Sequence, residues 1–382
     1  VAAPADEAAQ SDSLVETVVV TGSHIRGGDP ISPLVTITDA DLAAQGYTRL
    51  DQALQQLPQN LNDAMASANG TFGVGNKANY NSNYASSVDL FGLGAGTTLT
   101  LLNGQRLAPN NSGSRVDISG IPVSAIKKVE ILEDGASAVY GADAIGGVVN
   151  IITKTDYDGI ETGFRLTGLS GGKDPDLGAS VLAGTGWGSG NVLVSADYEK
   201  DNTLLASSRS FTSSLLSPTY LIPSAENIRL YAAVRQELMS KLTFSAEVLT
   251  SYRQYYSVVN DPLYGYGITY TQGGDRQQSG AAELLYELSP TWNLSLQGQY
   301  SRDANSLFGA YEGLDYSYSA SERDVAAGFQ AGADGVLFSL PGGDMALAVG
   351  YQYRGDAYRT LSTNYHRYVN SAYGELSIPL GG

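Results

Sequence analysis

The chain has 382 residues, a length that suggests two or three domains, and its 22 Lys and Arg against 39 Asp and Glu give a net charge of −17. That balance argues against nucleic acid or anionic lipid headgroups as partners. Cysteine is absent and the two histidines, His24 and His366, stand far apart, which excludes disulfides and thiolate metal sites and disfavours a histidine-built metal centre.

The chain opens on a polar, Ala-rich tail, Val1–Ser13. It lacks a basic stretch followed by an apolar run, so any signal peptide is expected to have been removed. Thr38 with Asp41 predicts a capped helix over Asp39–Gln45. Thr48 with Asp51 predicts a second over Arg49–Leu57, stopped by Pro58. Their apolar residues, Leu42 and then Leu50, Ala53, Leu54 and Leu57, share one face and must pack on something. Thr97–Leu102 reads as a strand ending in an Asn103-Gly104 hairpin turn. Lys128–Leu132 and Val148–Thr153 are two more strands, and Asp134–Gly147 between them reads as a tight looped segment rich in small residues. These elements make a small α+β domain of roughly 125 residues. The acids Glu130, Glu133 and Asp134 have no partner arrangement for catalysis. Gly92, Gly94 and Gly96 lack the strand–loop–helix context of a dinucleotide site.

From about position 155 the composition changes. Only Tyr47, Tyr80, Tyr84 and Tyr140 precede it, out of 25 tyrosines against 8 phenylalanines. No stretch approaches the roughly 20 apolar residues of a spanning helix. Instead the chain alternates with period two. Val192, Val194, Ala196 and Tyr198 oppose Ser195, Asp197 and Glu199. Leu230, Ala232 and Val234 oppose Tyr231 and Arg235. Phe244, Ala246 and Val248 oppose Thr243, Ser245 and Glu247, and Leu294 and Leu296 oppose Gln297 and Gln299. With further runs near Ile160, Leu177, Ala282, Val325, Met345 and Ala372, ten strands of about 9–13 residues are expected, as for tilted strands crossing an outer membrane. A soluble β-sandwich or solenoid also alternates, although its strands are usually shorter. Connections alternate too: Gly188–Gly190, Ser240 and Ser289-Pro290 are tight, whereas Lys200–Ala225 and Tyr256–Arg276 read as long polar loops. That asymmetry belongs to bacterial outer-membrane barrels.

Three segments carry a family resemblance. Ala125–Lys154 (AIKKVEILEDGASAVYGADAIGGVVNIITK), Val88–Leu107 (VDLFGLGAGTTLTLLNGQRL) and Val18–Ile25 (VVVTGSHI) resemble the plug domain of the TonB-dependent outer-membrane receptors. Two positions depart from the pattern. Phe91 stands where the family often has arginine, which puts one plug–barrel salt bridge in doubt. Asp134-Gly135 stands where many siderophore receptors carry Gly-Pro, which weakens an inference to iron.

The resemblance implies an α+β plug domain followed by antiparallel transmembrane β-barrel strands, about ten of an expected 22. It divides the chain into a periplasmic tail with a TonB box (1–28), a plug (29–155) and a partial barrel (156–382). Ten strands are too narrow to enclose such a plug. A partial chain is therefore expected, with a second chain completing the wall as the alternative, and the strands should form an open curved sheet with the plug on its polar face. The implied function is active uptake of a scarce small-molecule ligand, a siderophore, saccharide or similar, across the bacterial outer membrane. The energy comes from TonB with the ExbB/ExbD complex, and the partners are outer-membrane lipid and the ligand, with no cofactor, metal or nucleic acid. Glu16, Thr17, Val18, Val19 and Val20 resemble the TonB box, an extended β-branched run able to add to a partner sheet; read plainly, Thr17–Thr21 is the first plug strand. With only about fifteen residues ahead of the box, an N-terminal signalling domain is not expected. Plug-apex ligand contacts are expected from Asn79, Tyr80, Asn81, Asn83 and Tyr84, from Asn110, Asn111 and Arg115, and from Tyr140 near a third apex. A non-transporting surface-binding component is the alternative, a passive porin third and an enzyme a distant fourth.

Overall fold

The computed structural model describes residues 21–28, 32–61, 84–110, 115–134, 136–168, 170–172, 174–260, 267–312 and 316–379. The Glu16–Val20 run and Asn79, Tyr80, Asn81, Asn83 and Asn111 lie outside them.

The first part contains β1 (Leu34–Thr38), α1 (Asp39–Ala44), α2 (Leu50–Leu54), β2 (Thr98–Leu102), β3 (Gln105–Arg106), β4 (Ile126–Leu132), α3 (Ala136–Tyr140) and β5 (Gly147–Thr153). Its sheet has the order β1-β4-β5-β2-β3, with β2 parallel to β5 and the other pairs antiparallel. Local chemistry explains several of these elements. Thr38 Oγ1 accepts from the Asp41 N–H at 3.2 Å while Asp41 accepts from the Thr38 N–H at 2.9 Å, the reciprocal cap expected for α1. Asn103 and Gly104 have φ of +48° and +79°, the turn that joins β2 to β3.

The second helix departs from expectation. It is shorter, Arg49 is its N-cap, and no side chain caps it. The Asp51 carboxylate has turned to the Arg49 guanidinium (2.9 and 3.0 Å) and to Ser86 Oγ (3.1 Å), so tertiary partners outcompete the local cap. The segment read as a loop between β4 and β5 contains α3, and β1 was not foreseen.

The second part is one ten-stranded antiparallel sheet, in the order β17-β16-β15-β14-β13-β12-β11-β8-β7-β6. Its strands are β6 (Gly159–Thr167), β7 (Asp176–Trp187), β8 (Gly190–Asp201), β11 (Ser224–Met239), β12 (Leu242–Asn260), β13 (Ile268–Ser289), β14 (Trp292–Tyr311), β15 (Ser317–Leu340), β16 (Gly343–Thr360) and β17 (Asn364–Ser377). A small hairpin, β9 (Leu204–Leu205) with β10 (Tyr220–Ile222), occupies the connection after β8. The number of strands matches the sequence reading. β6 and β17 are its two edges and do not pair, so the ten strands form an open sheet, as the geometry required.

Strand length was underestimated. β12 to β15 run for 19, 22, 20 and 24 residues, and most of Tyr256–Arg276 is strand rather than loop. Stretches such as Thr269–Ser279 are polar on both faces, so the ladder continues where the hydropathy alternation has faded.

The predicted facing is observed. Ser195, Asp197 and Glu199 are buried against the plug, while Val194, Leu230, Val248, Leu294 and Leu296 are exposed on the outer face. The inner face is not uniformly polar, however. Leu182, Leu193, Tyr231 and Leu249 project inward and join the plug core of Leu42, Leu54, Val129, Ile131, Val149 and Ile151. The two tryptophans sit at the tight-turn end, where the Trp187 Nε1–H donates to Gln236 and the Trp292 Nε1–H to the Val336 carbonyl, each at 2.8 Å.

Gly147 opens β5 at φ +123°, where a Cβ would meet the Leu132 carbonyl at 2.6 Å and Leu90 Cδ1 at 2.8 Å. Gly147→Ala is expected to destabilise the plug by about 1–3 kcal/mol through backbone strain and overpacking. Hydrogen exchange of β4 and β5 reads this directly, and unchanged protection there would contradict it.

Candidate functional site

The residues with unusual chemistry gather where the plug meets the inner face of the sheet, in three zones. The first zone lies on β8 and β11 to β14. Asp117 and Ser119 of the plug sit in a cluster of sheet residues: Arg253 Nη2 is 2.7 Å from Asp117 and 3.3 Å from Asp275, and Gln277 donates to the Asp117 carbonyl at 3.0 Å. Beside it, Arg229 donates to the Ser119 carbonyl at 2.6 Å and pairs with Glu199 at 2.8 Å. Asn110 donates its amide to Asp303 (3.0 Å) and Asp275 (3.3 Å), and the Ala108 N–H donates to Ser301. Burial alone would raise the Asp117 carboxyl. The Arg253 guanidinium and the donors from Ser119 and Ser86 more than reverse this and hold it below the usual carboxylate range.

The second zone is the β2–β3 turn. Asn103 is locked to Thr153 (2.9 Å), and both reach the sheet through the Tyr231 hydroxyl and Glu247, which accepts from Tyr231 at 2.9 Å and from the Asn103 amide. Ser124 extends this contact, lying 2.7 Å from Ser195 and 2.6 Å from Asp197.

The third zone holds the segment 21–28 near the tight-turn end of the sheet. Arg26 lies 2.8 Å from Glu283 and 3.3 Å from Asp334. Ser23 Oγ and the His24 N–H both donate to the Glu375 carboxylate at 2.7 Å, and the His24 ring stacks on Tyr373 at 3.8 Å. On the plug side Thr21 bonds Glu130 and accepts from the Asn150 amide, and the Gly22 N–H donates to the Tyr140 hydroxyl at 3.1 Å. Burial lowers the His24 imidazole below its ordinary value, and the nearby Glu375 charge only partly opposes this.

Comparison with known proteins settles the frame for these contacts. Residues 29–148 match the family model described as the TonB-dependent Receptor Plug Domain. This chain carries a plug domain of the TonB-dependent receptor family. Solved structures agree in fold. The siderophore receptor PirA from Acinetobacter baumannii matches at 19% identity and a TM-score of 0.61, over 85% of this chain and 48% of that one. A double mutant of the ferric enterobactin receptor PfeA from Pseudomonas aeruginosa matches at 18% and 0.67, over 92% and 56%. The ferric yersiniabactin uptake receptor FyuA from Yersinia pestis matches at 12% and 0.53, over 90% and 61%. The chain thus spans about half the length of the solved receptors it matches first.

Within the TonB-dependent receptor fold, the residues singled out from sequence separate into two places. Tyr84, Asn110 and Arg115 lie in the first zone and its border, all buried: Tyr84 packs edge-on against Tyr255 at 4.6 Å, and Arg115 is bridged to Asn110 through the backbone. Tyr140 belongs to the third zone, where its hydroxyl meets Gly22 and its carbonyl accepts from Arg106 at 2.7 Å. Arg106 also pairs with Asp143 at 2.7 Å, and Asp143 reaches Arg354 of the wall at 3.3 Å. Burial and the neighbouring Arg354 charge push Arg106 down to about 10, so it remains cationic at neutral pH. Sequence reading missed Arg26, Asn103, Asp117, Arg229 and Arg253. A charged residue at an inward strand position was the available signal for the last two; Arg26, Asn103 and Asp117 carry none, because their partners in the wall are more than a hundred residues away.

Two outcomes test these zones. Arg253→Met leaves Asp117 and Asp275 buried without their counter-charge, and should cost about 3–5 kcal/mol. The loss should appear as faster hydrogen exchange at Val116–Ser119; unaltered exchange would show that this pair does not hold the plug. His24 gives a pH dependence. Its folded value is lowered, so its contribution to docking is complete above the unfolded value of about 6.5 and is lost as pH falls through the lower folded value. The protection factor of Thr21–Gly28, the observed exchange rate set against the intrinsic rate at each pH, should fall on acidification from pH 7.5 to 5 in the wild type. It should do so much less in His24→Phe, which keeps the ring stack without the titration.

Proposed function

We propose that this chain forms the plug and part of the barrel wall of a receptor in the bacterial outer membrane that takes up a scarce small organic ligand, a siderophore, saccharide or similar, by TonB-dependent transport. The observation that carries this reading is the placement of the plug domain on the polar inner face of a sheet whose outer face is apolar. A passive pore has no need of a plug fixed by buried ion pairs. An antiparallel sheet with an apolar exterior suits lipid, and no helix among the described residues is long and apolar enough to cross a membrane. The PirA, PfeA and FyuA structures are of receptors for siderophores or their iron complexes, which favours a chelate as ligand. The groups proposed to supply hydrogen bonds and a flat face for it are Asn79, Tyr80, Asn81, Asn83 and Asn111, since Tyr84, Asn110 and Arg115 are buried against the sheet.

Glu16–Val20 is the proposed handle for TonB, with ExbB and ExbD supplying the energy. An extended β-branched run can be gripped as an added strand, because main-chain hydrogen bonds carry the load along the strand. It leads directly into segment 21–28, so a pull on the handle first meets the Arg26, His24 and Ser23 contacts with the wall and the Thr21 and Gly22 contacts with the plug.

Val18→Pro removes a backbone donor that strand addition requires. In the full-length protein this substitution should abolish energised uptake while leaving ligand binding at the cell surface within about twofold, since the ligand site and the handle lie on different segments. Transport at the wild-type rate would defeat the handle. If neither protein transported while both bound ligand, the protein would be a surface-binding component instead.

A further inference from the structure

The outer face of the sheet carries a second chemistry above its apolar band. Side chains at even positions of β13 and β14 and at odd positions of β15 and β16 face outward, opposite Asp275, Asp303, Asp324 and Arg354, which are buried on the inner face. Toward the long-connection end these outward positions hold Arg276, Arg302, Arg323 and Arg359. The four are neighbours. Arg323 pairs directly with Arg359, Ala304 lies between Arg276 and Arg323, and Arg302 is one outward step below Ala304.

Two cations directly opposite on one sheet face repel, and the protein does nothing here to offset it. Among the described residues none of the four arginines has a carboxylate partner; Arg276 lies over the Tyr252 ring at 5.6 Å, and the Arg302 Nε is buried without a hydrogen-bond acceptor. No outward position on β13 to β16 is Asp or Glu, in a chain with 39 acids and 22 bases. Below the arginines sits an outward aromatic row including Tyr300, Phe329 and Tyr353, and below that the apolar Leu294, Leu296 and Val349. An unneutralised guanidinium cluster just above an aromatic girdle lies where lipid acyl chains give way to headgroups.

We infer that this patch binds the phosphates of a phosphorylated lipid headgroup in the leaflet at the long-loop end of the sheet. Guanidinium forks match phosphate oxygens bidentately, an anion between Arg323 and Arg359 turns their repulsion into attraction, and the apolar band below takes the acyl chains. The net charge of −17 gives no hint of this, because every acid of β13 to β16 lies on the inner face. The inference rests on the outer-membrane reading above but not on transport.

The test uses the full-length protein in phosphatidylcholine nanodiscs doped with diphosphoryl lipid A or with its dephosphorylated form, bound lipid being measured by native mass spectrometry. The wild type should retain the phosphorylated form preferentially. The triple variant Arg302→Gln, Arg323→Gln, Arg359→Gln should lose about a hundredfold of that preference, at roughly fivefold per arginine, and the matching triple lysine variant should keep most of it. Equal retention of the two lipids by the wild type, or undiminished preference in the glutamine variant, would overturn the assignment. So would displacement of the lipid by inorganic phosphate at equal concentration, which would make free phosphate the ligand. Failure of the wild type to enter nanodiscs would overturn the membrane reading and this inference with it, whereas entry without phosphate preference overturns this inference alone.

Discussion

The structure depends on one constraint: each long strand separates two environments, and every second side chain must suit one of them. An outer face of Val, Leu and Phe leaves an inner face of Asp, Glu, Arg and Gln. Those charges tolerate burial only if another polar surface meets them. The plug is that surface. Asp117, Asn110 and Ser119 enter the sheet's charged row and Arg253 spans plug and wall, so removing the plug would take Asp117 from Arg253, the Asn110 amide from Asp303 and Asp275, and the Ser119 carbonyl from Arg229. Plug and sheet are therefore bound mainly by paired charges, supplemented where Leu182, Leu193 and Leu249 meet the plug core.

That mode of attachment bears on what the assembly can do. Purely apolar docking resists a pull through area alone, whereas discrete charged contacts can be released one by one and remade. Segment 21–28 has both anchors, the wall through Arg26, Ser23 and His24 and the plug through Thr21 and Gly22. Among the described residues, Thr21 links the N-terminal end to Glu130 and Asn150, on adjacent central strands of the plug sheet. The first contacts to fail would thus lie beside the β4–β5 ladder rather than at its distant β2–β3 edge.

The same alternation sorts charge across the wall. Acids concentrate on the inner face and in the plug, while the outward arginines of β13 to β16 stand alone above the aromatic row. A net charge counted over the whole chain averages over this separation and hides a basic surface. The relevant quantity for a protein with two solvents is charge per face.

The sequence by itself determined whatever depends on neighbours along the chain. The α1 cap needs only Thr38 and Asp41, the β2–β3 turn only Asn103-Gly104, and strand facing only the period-two pattern, which is why Val194 and Ser195 fall on the sides expected of them. The resemblance at Ala125–Lys154 added the plug. Where both faces are polar, as in Thr269–Ser279, alternation vanishes and strand length could not be read. Tertiary structure decided what depends on partners far away: Asp51 abandoned its cap for Arg49 and Ser86, Tyr140 went to the segment at Gly22, and Asp117 met Arg253 across 136 positions. A buried charge is satisfied by whichever opposite charge the fold brings within reach, and sequence spacing carries no information about that meeting.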